Sequence, residues 1–263
     1  MGRIPIFEFE DFPWYPAALR DLETDLLQYW ISLLGLYDAT IPRLAKLLAG
    51  TGASKVIDLC SGGAGPWVKL KSKLERELGR ELSVTLSDKF PNQPAFERAR
   101  EKAGVAFEAE PVDATRVPAR LDGVRTLFSC FHHFPPELAK SILRDAQGQR
   151  VPIAIVEGTA RLPRELLRFS FLIPFVWVVT PLVPPFKLSR YLFTYAIPIV
   201  PFVALWNGLA SCLRTYSPAE LENMVAELAE PGYRWEAGRI KRWILPTLTY
   251  LVGSPTESEG SSS

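Results

Sequence analysis

Apolar positions recur every three or four residues over 17–36, where Leu19, Leu22, Leu26, Trp30, Leu33 and Leu34 are interleaved with Arg20, Asp21, Glu23 and Asp25. That period gathers the apolar side chains on one face of a helix. A second helix is expected from near Thr40, with Pro42 in its first turn, to Gly50. The period then changes. Residues 55–59 form a short β-branched run that ends in a glycine-rich turn, 66–78 read as a helix stopped by Gly79, 82–86 as a strand and 94–103 as a helix. A weaker strand follows at 105–109, then a strand at 125–131, a helix at 136–146 and a buried strand at 151–156. Strands alternating with helices of this length predict right-handed βαβ units and a largely parallel sheet. The rhythm resumes near the end, where Ser217-Pro218-Ala219-Glu220 is a capping box opening a helix to about 229. Two last strands are expected at 233–240 and 247–252.

Between these parts the rhythm breaks. Residues 169–186 and 191–213 carry no charged side chain, and Pro174, Pro181, Pro184, Pro185, Pro198 and Pro201 interrupt them. Each run is near the roughly 20 residues that span a bilayer as a helix. The prolines disfavour two straight crossings and favour broken helices lying in one leaflet. Arg161, Arg164 and Arg168 precede the first run, Lys187 and Arg190 lie between the two, and Arg214 follows. Trp177, Tyr191, Tyr195, Trp206 and Tyr216 add aromatics of the kind enriched at interfaces. The alternative is a buried cap over a substrate pocket, or a dimer interface.

Composition narrows the class. The 263 residues, 48% hydrophobic, suffice for one α/β domain with an added subdomain. A net charge of +1 argues against a nucleic-acid partner. Cys60, Cys130 and Cys212 are scattered, with no C-x-x-C pair, which fits a reducing compartment. The first eleven residues mix acids with apolar residues and do not read as a secretory signal. A cytoplasmic chain that associates with membrane is the expected setting. The divisions are 1–50 as N-terminal helices, 51–158 as the core, 159–214 as the apolar insertion, 215–253 as completion of the core, and 254–263 as a disordered polar tail.

The candidate chemistry gathers at the carboxyl ends of the strands, where open α/β sheets bind ligands. The first strand runs into Val56-Ile57-Asp58-Leu59-Cys60-Ser61-Gly62-Gly63-Ala64-Gly65, whose small residues allow close backbone approach and a sharp turn. The second ends in Leu86-Ser87-Asp88, an acid placed to accept from ribose hydroxyls. Pro111-Val112-Asp113-Ala114 follows the third, and the fourth enters Ser129-Cys130-Phe131-His132-His133-Phe134. The glycines do not match the G-x-G-x-x-G spacing of a dinucleotide site, although Asp88 suits its ribose acid.

The run VIDLCSGGAG resembles motif I of the class I S-adenosylmethionine-dependent methyltransferases, and Asp88 resembles the acid that follows that motif. VDATRVP is similar to the segment that contacts adenine, and FSCFHHF to the strand-four segment. The likeness covers roughly 50–158 and 215–253. It departs in one place: a common family form has Gly-Cys-Gly after the Asp-Leu pair, where this chain has Cys60-Ser61-Gly62. The resemblance implies a seven-stranded, mostly parallel Rossmann-like sheet with N-terminal helices and the insertion after its fifth strand. It implies a site for S-adenosylmethionine made of Asp58, Cys60, Ser61, Gly62, Gly63, Asp88, Asp113 and Ala114. Asp58 and Gly62 then lie near the methionine moiety, Asp88 on the ribose, and Asp113 near the adenine amino group.

His132, His133 and Glu157 are the candidate catalytic residues. A histidine here either serves as a general base or orients the loop and lines the pocket. Glu157 either faces the acceptor or is a solvated or capping carboxylate. No Cys/His/Asp cluster has metal-ligand spacing, so no metal is expected. The expected function is methyl transfer to a lipophilic small molecule or lipid at a membrane, contacted through 169–213. The competing readings are a catalytically silent member of the fold acting as a membrane or protein interaction module, and an aminopropyltransferase. The latter calls for an acidic amine pocket that Glu157 alone does not make.

Overall fold

In the computed structural model, which describes residues 2–228 and 230–256, the change of period marks the change from helix to sheet. The N-terminal helices are α1 (Ala17–Leu34) and α2 (Ile41–Gly50). The core alternates β1 (Lys55–Leu59), α3 (Trp67–Leu78), β2 (Ser83–Leu86), α4 (Gln93–Ala103), β3 (Ala106–Phe107), β4 (Val124–Phe128), α5 (Pro136–Gly148) and β5 (Ile153–Glu157). Gly79 ends its helix as expected, and two further glycines do the same. Gly35, Gly79 and Gly104 take the left-handed conformation just past α1, α3 and α4. The Asn92 side chain accepts from the Ala95 amide to open α4.

One sheet of seven strands runs in the order β3-β2-β1-β4-β5-β7-β6, where β6 is Tyr233–Ile240 and β7 is Leu248–Pro255. The first five are parallel, and β7 inserts antiparallel between β5 and β6. Each central strand is buried on both faces, which explains its near-continuous apolar run. Side chains alternate between two cores. Val56, Val84 and Val124 pack with α2, α3 and α4 through Leu44, Leu70 and Phe96. Ile57, Leu127 and Ile155 pack on the other side with α5 and α10 (Pro218–Ala226), through Ile142 and Leu221. The expected third strand shrinks to two residues, and β4 stops at Phe128, before the histidines. Ser217 and Glu220 form the expected capping box on α10. The expected polar tail begins inside β7, and 257–263 lie outside the described residues.

The insertion folds into short helices: α6 (Pro163–Phe169), α7 (Leu172–Val179), α8 (Leu188–Tyr191) continued by a π turn to Ala196, and α9 (Ile199–Arg214). Its inner side packs on α1. Leu172, Val176, Val179 and Val200 meet Leu22 and Leu26 in a third apolar cluster. Its other side leaves Phe171, Val178, Leu182, Phe186, Leu188 and Phe202 exposed. Among the described residues no single helix is long and apolar enough to cross a membrane. Two bent pairs pass by length and composition, one kinked by 41° after α6 and the other by 78° before α9.

The flanking basic residues are not the free lipid-facing charges that the sequence suggests. Arg161 pairs with Glu220 at 2.5 Å, Arg164 and Arg168 with buried Glu165 at 3.1 and 2.5 Å, and Arg214 with Asp11 at 2.5 Å. Lys187 and Arg190 both meet Asp25 of α1, at 2.6 and 2.7 Å, and Arg190 is buried. A buried guanidinium needs such a partner to offset the loss of water. Arg161, Lys187, Arg190 and Arg214 thus tie the cap to acids outside it, while Arg164 and Arg168, whose acid lies on their own helix, reach the Thr247 hydroxyl and the Leu245 carbonyl. Trp206 and Tyr216 are also turned inward, bonding the carbonyls of Phe7 and Phe134.

Candidate functional site

The loop after β1 is shaped by Asp58. Its buried carboxylate accepts from the hydroxyls of Ser61 and Thr126, both at 2.7 Å. Burial pushes its pKa up to about 6. Asp58 is thus engaged in holding the loop and does not open onto a ligand. Ser61 is buried too, its amide bonded to the Ser87 carbonyl at 2.9 Å. Cys60, Gly62, Ala64 and Gly65 all have positive φ, between 49° and 80°. The turn is tight enough to force left-handed backbone even on non-glycine residues.

Gly62 reaches the end of β2. Its amide donates to Asp88 Oδ2 at 2.9 Å, and the Phe90 amide donates to Asp88 Oδ1 at 2.8 Å. Burial raises the Asp88 pKa despite these bonds. A Cβ placed on Gly62 would meet nothing within 4 Å, so the space above that turn is open. At Gly63 a Cβ would stand 2.4 Å from Thr24 Cγ2, because α1 crosses the loop there. After β3, Asp113 accepts from the Thr115 hydroxyl and amide at 2.6 and 2.9 Å and from Lys89 at 3.1 Å. The Thr115 bonds and then Lys89 lower its pKa. Ala114 is buried in the core beside Val112. The loops after β1, β2 and β3 thus meet at one corner of the sheet.

A cleft of about 1000 Å³, partly open to solvent, lies over the ends of β4 and β5. Its walls are apolar, from Leu26 and Trp30 of α1 and Phe169, Leu172 and Val176 of the cap. Its far end is polar, with Glu8, Glu23, His132, His133 and Asn207. Its floor is Ser129 and Gly158. The Ser129 hydroxyl accepts from the Gly158 amide at 2.7 Å and shares a 2.6 Å hydrogen bond with the Tyr37 hydroxyl. A Cβ on Gly158 would come within 3.0 Å of both hydroxyls, so only glycine fits there.

His132 is buried between two acids. Its Nδ1 is 2.6 Å from Glu157 Oε2, its amide donates to Glu157 Oε1 at 3.2 Å, and its Nε2 is 3.3 Å from Glu8 Oε1. Burial opposes charge on the ring, but Glu157 and Glu8 overcome it and push the pKa up to about 10. Burial likewise opposes charge on Glu8, yet His132 beside it lowers the Glu8 pKa. His133 stacks 4.3 Å from His132 and sets its Nδ1 2.9 Å from Asp11. Glu157 does not face the acceptor space. It lies behind His132 and fixes that ring.

The structure thus brings the residues read from the sequence into two neighbouring groups. Cys60, Ser61, Gly62, Gly63, Asp88 and Asp113 surround the corner, with Asp58 and Ala114 packed beneath it. His132 and His133 line the cleft, with Glu157 behind. Sequence reasoning missed Glu8, Glu10, Asp11, Glu23, Tyr37 and Ser129. The segment carrying the first three has no period. It reaches the histidines through long-range bonds, among them Ile4 to the Leu213 carbonyl at 3.1 Å and Arg3 to the His132 carbonyl at 2.9 Å.

No family model matches the chain, and no curated protein sequence does. Solved structures do. The CMeT domain of the citrinin polyketide synthase superposes with a TM-score of 0.54 at 12% identity, over 94% of this chain and 59% of that one. The plantazolicin methyltransferase BamL, in complex with a triazolic desmethylPZN analog and SAH, gives 0.51 at 12% identity, over 91% and 98%. A putative O-methyltransferase from Nostoc punctiforme PCC 73102 gives 0.50 at 15%, over 96% and 64%. With the strand order, these likenesses establish the Rossmann-like fold of the class I methyltransferases.

Proposed function

We propose that this chain is an S-adenosylmethionine-dependent methyltransferase whose acceptor is a lipophilic small molecule or lipid with a polar head. The observation that supports this is the placement of two spaces along one sheet edge, at the ends of strands whose inner members, β1 and β4, are paired neighbours. The open corner above Gly62 and Asp88 lies at the ends of β1 and β2, and the cleft floored by Ser129 and Gly158 lies at the ends of β4 and β5. The residues present fit the cofactor. Asp88 keeps free lone pairs beside its two amide bonds for ribose hydroxyls, and the turn at Gly62 leaves room for the methionine part. Asp113, on the loop after β3 at the same corner, is the acceptor assigned to the adenine amino group. S-adenosylmethionine supplies a methyl group already activated on a sulfonium.

The chain then has to align an acceptor more than activate it, because alignment of reacting atoms alone removes much of the barrier. The apolar walls hold the body of the acceptor, and the polar end holds its head. In the metal-free protein, Glu157 and Glu8 keep His132 protonated at neutral pH. Both ring nitrogens face these acids, so the ring does not take a proton from the head group. The exposed apolar side of the cap is suited to contact with the membrane from which a lipophilic acceptor comes.

Calorimetry tests the first half. S-adenosylmethionine and its demethylated product should bind and NAD should not. Asp88→Ala should weaken binding by about 1.5–3 kcal/mol, the worth of hydrogen bonds to a charged group. Incubation of membrane lipid extract with methyl-labelled cofactor tests the second half, with a labelled lipophilic product expected. Absence of cofactor binding would leave the silent interaction module as the reading. Binding without a lipid-soluble product would overturn the acceptor class.

A further inference from the structure

The two histidines share one pattern. Each places Nδ1 on a carboxylate, His132 on Glu157 at 2.6 Å and His133 on Asp11 at 2.9 Å. Each has Nε2 near the same third carboxylate, at 3.3 Å from Glu8 Oε1 for His132 and 3.9 Å from Glu8 Oε2 for His133, whose Nε2 also lies 3.7 Å from Glu10 Oε1. A carboxylate on one ring nitrogen fixes the tautomer and aims the lone pair of the other, an arrangement typical of metal-bound histidines. Here it occurs twice, on adjacent residues, with both Nε2 atoms and a Glu8 oxygen within 4.8 Å of one another.

The contacts inside this cluster are incomplete. Glu8 and His132 are 1% and 2% exposed, yet among the described residues neither Glu8 Oε1 nor His132 Nε2 makes a hydrogen bond. Their 3.3 Å approach lacks hydrogen-bond alignment. Ligand atoms around a metal with bonds of about 2.0–2.2 Å stand about 3.0–3.5 Å apart. The 3.3 Å pair already has this spacing, and the 3.9 Å pair needs a small closure of the half-exposed His133 ring.

The charges around the cluster also favour a cation. Among the described residues, Glu8, Asp11 and Glu157 are paired with a single guanidinium, that of Arg214, while Arg3 bonds backbone carbonyls. With neutral histidines, that leaves two negative charges for a dication to balance. Arg214 lies 3.3 Å from Glu8 Oε1, and Ser211 donates to Glu8 Oε2 at 3.0 Å. Both hold the carboxylate in place.

We propose that Glu8, His132 and His133 form a binding site for a first-row divalent transition ion at the polar end of the cleft, with Glu157 and Asp11 as positioning residues. Two imidazoles and one carboxylate, with open positions toward the cleft, suit Zn²⁺, Co²⁺, Fe²⁺ or Mn²⁺ better than Mg²⁺ or Ca²⁺. The site is independent of the methyl-transfer reading. An ion there would offer its open positions to the oxygen-bearing head of whatever occupies the cleft.

The test uses the full chain, stripped with chelator and titrated with Co²⁺ and then Zn²⁺. One equivalent of Co²⁺ should bind with a visible ligand-field band, and Zn²⁺ should displace it and raise the melting temperature. Glu8→Gln, His132→Gln and His133→Gln should each abolish the band, and Glu157→Gln should weaken binding about 10–100-fold. Glu137→Gln, an exposed acid on α5, should bind as the parent does. His133→Gln changes a half-exposed ring and keeps the test valid if a buried variant fails to fold. No band at millimolar Co²⁺, or an equal band in Glu8→Gln and His133→Gln, would overturn the site and leave a buried ion pair between His132 and Glu8.

Discussion

At the scale of single residues, the acids around the cleft are held in states they would not adopt in water. Glu23 shows this most simply. It lines the cleft, accepts from the Tyr15 hydroxyl at 2.5 Å and is approached by the Asn207 amide at 3.4 Å. Burial pushes its pKa up to about 8. In the unfolded chain the same carboxyl titrates at about 4.3. Between those values the folded state binds more protons than the unfolded one, so stability falls as pH rises. Its contribution is complete below the unfolded value and is lost as pH passes through the folded one. Glu23→Gln removes that titration. Denaturant midpoints for the variant and the parent should agree near the lower limit and diverge in favour of the variant toward the upper one. The difference between the two proteins cancels the separate titration of His132. Parallel curves across the whole window would show that Glu23 ionises normally in the folded protein.

At the scale of elements, legibility followed period. The parallel strands are buried on both faces, so their apolar runs and the glycines after their helices could be read directly. Asp58, Gly62 and Asp88 sit at strand ends, so the corner could be placed as soon as the strands were. The insertion has no polar face to give a helical period, and its prolines reset the direction of each short helix. Its packing on α1 was therefore hidden, and so was the pairing of Arg190 with Asp25, 165 residues earlier. Glu8 was hidden for the same reason: an extended segment shows no period, and its place is set by bonds to α9 and the histidine loop. The crossing of α1 over the glycine turn is another contact of this kind, and it can be tested. Gly63→Ala drives a methyl group into Thr24 Cγ2 and should cost about 1–3 kcal/mol, the usual cost of overpacking. In a Thr24→Ala background most of that cost should vanish, since the opposing carbon is gone. A double-mutant cycle by denaturant unfolding measures the coupling, and additive losses would mean that α1 does not rest on the loop.

At the scale of the whole molecule, the cap has two sides with different physics. The inner side is joined to the core by apolar packing and by the ion pairs of Arg161, Lys187, Arg190 and Arg214, with Arg164 and Arg168 adding hydrogen bonds to Thr247 and the Leu245 carbonyl. The outer side exposes Phe171, Phe186 and Leu188 at 66%, 73% and 75%, which is costly in water. At about 25 cal/mol per Å² of apolar surface, covering such side chains is a driving force for contact with lipid. Cations near an anionic membrane would add about 1 kcal/mol each, but those of the cap already engage internal acids. The attraction is therefore apolar and indifferent to surface charge. The protein should float with zwitterionic vesicles as well as with anionic ones, and high salt should not release it. Phe186→Ser combined with Leu188→Ser should shift it to the unbound fraction while leaving S-adenosylmethionine binding unchanged, because both residues lie on the solvent side of the cap. Release by salt, or a requirement for anionic lipid, would reassign the contact to basic residues elsewhere. A protein that stays monodisperse and unbound with both kinds of vesicle would remove the membrane from the proposed function and leave the cap as a cover for the cleft.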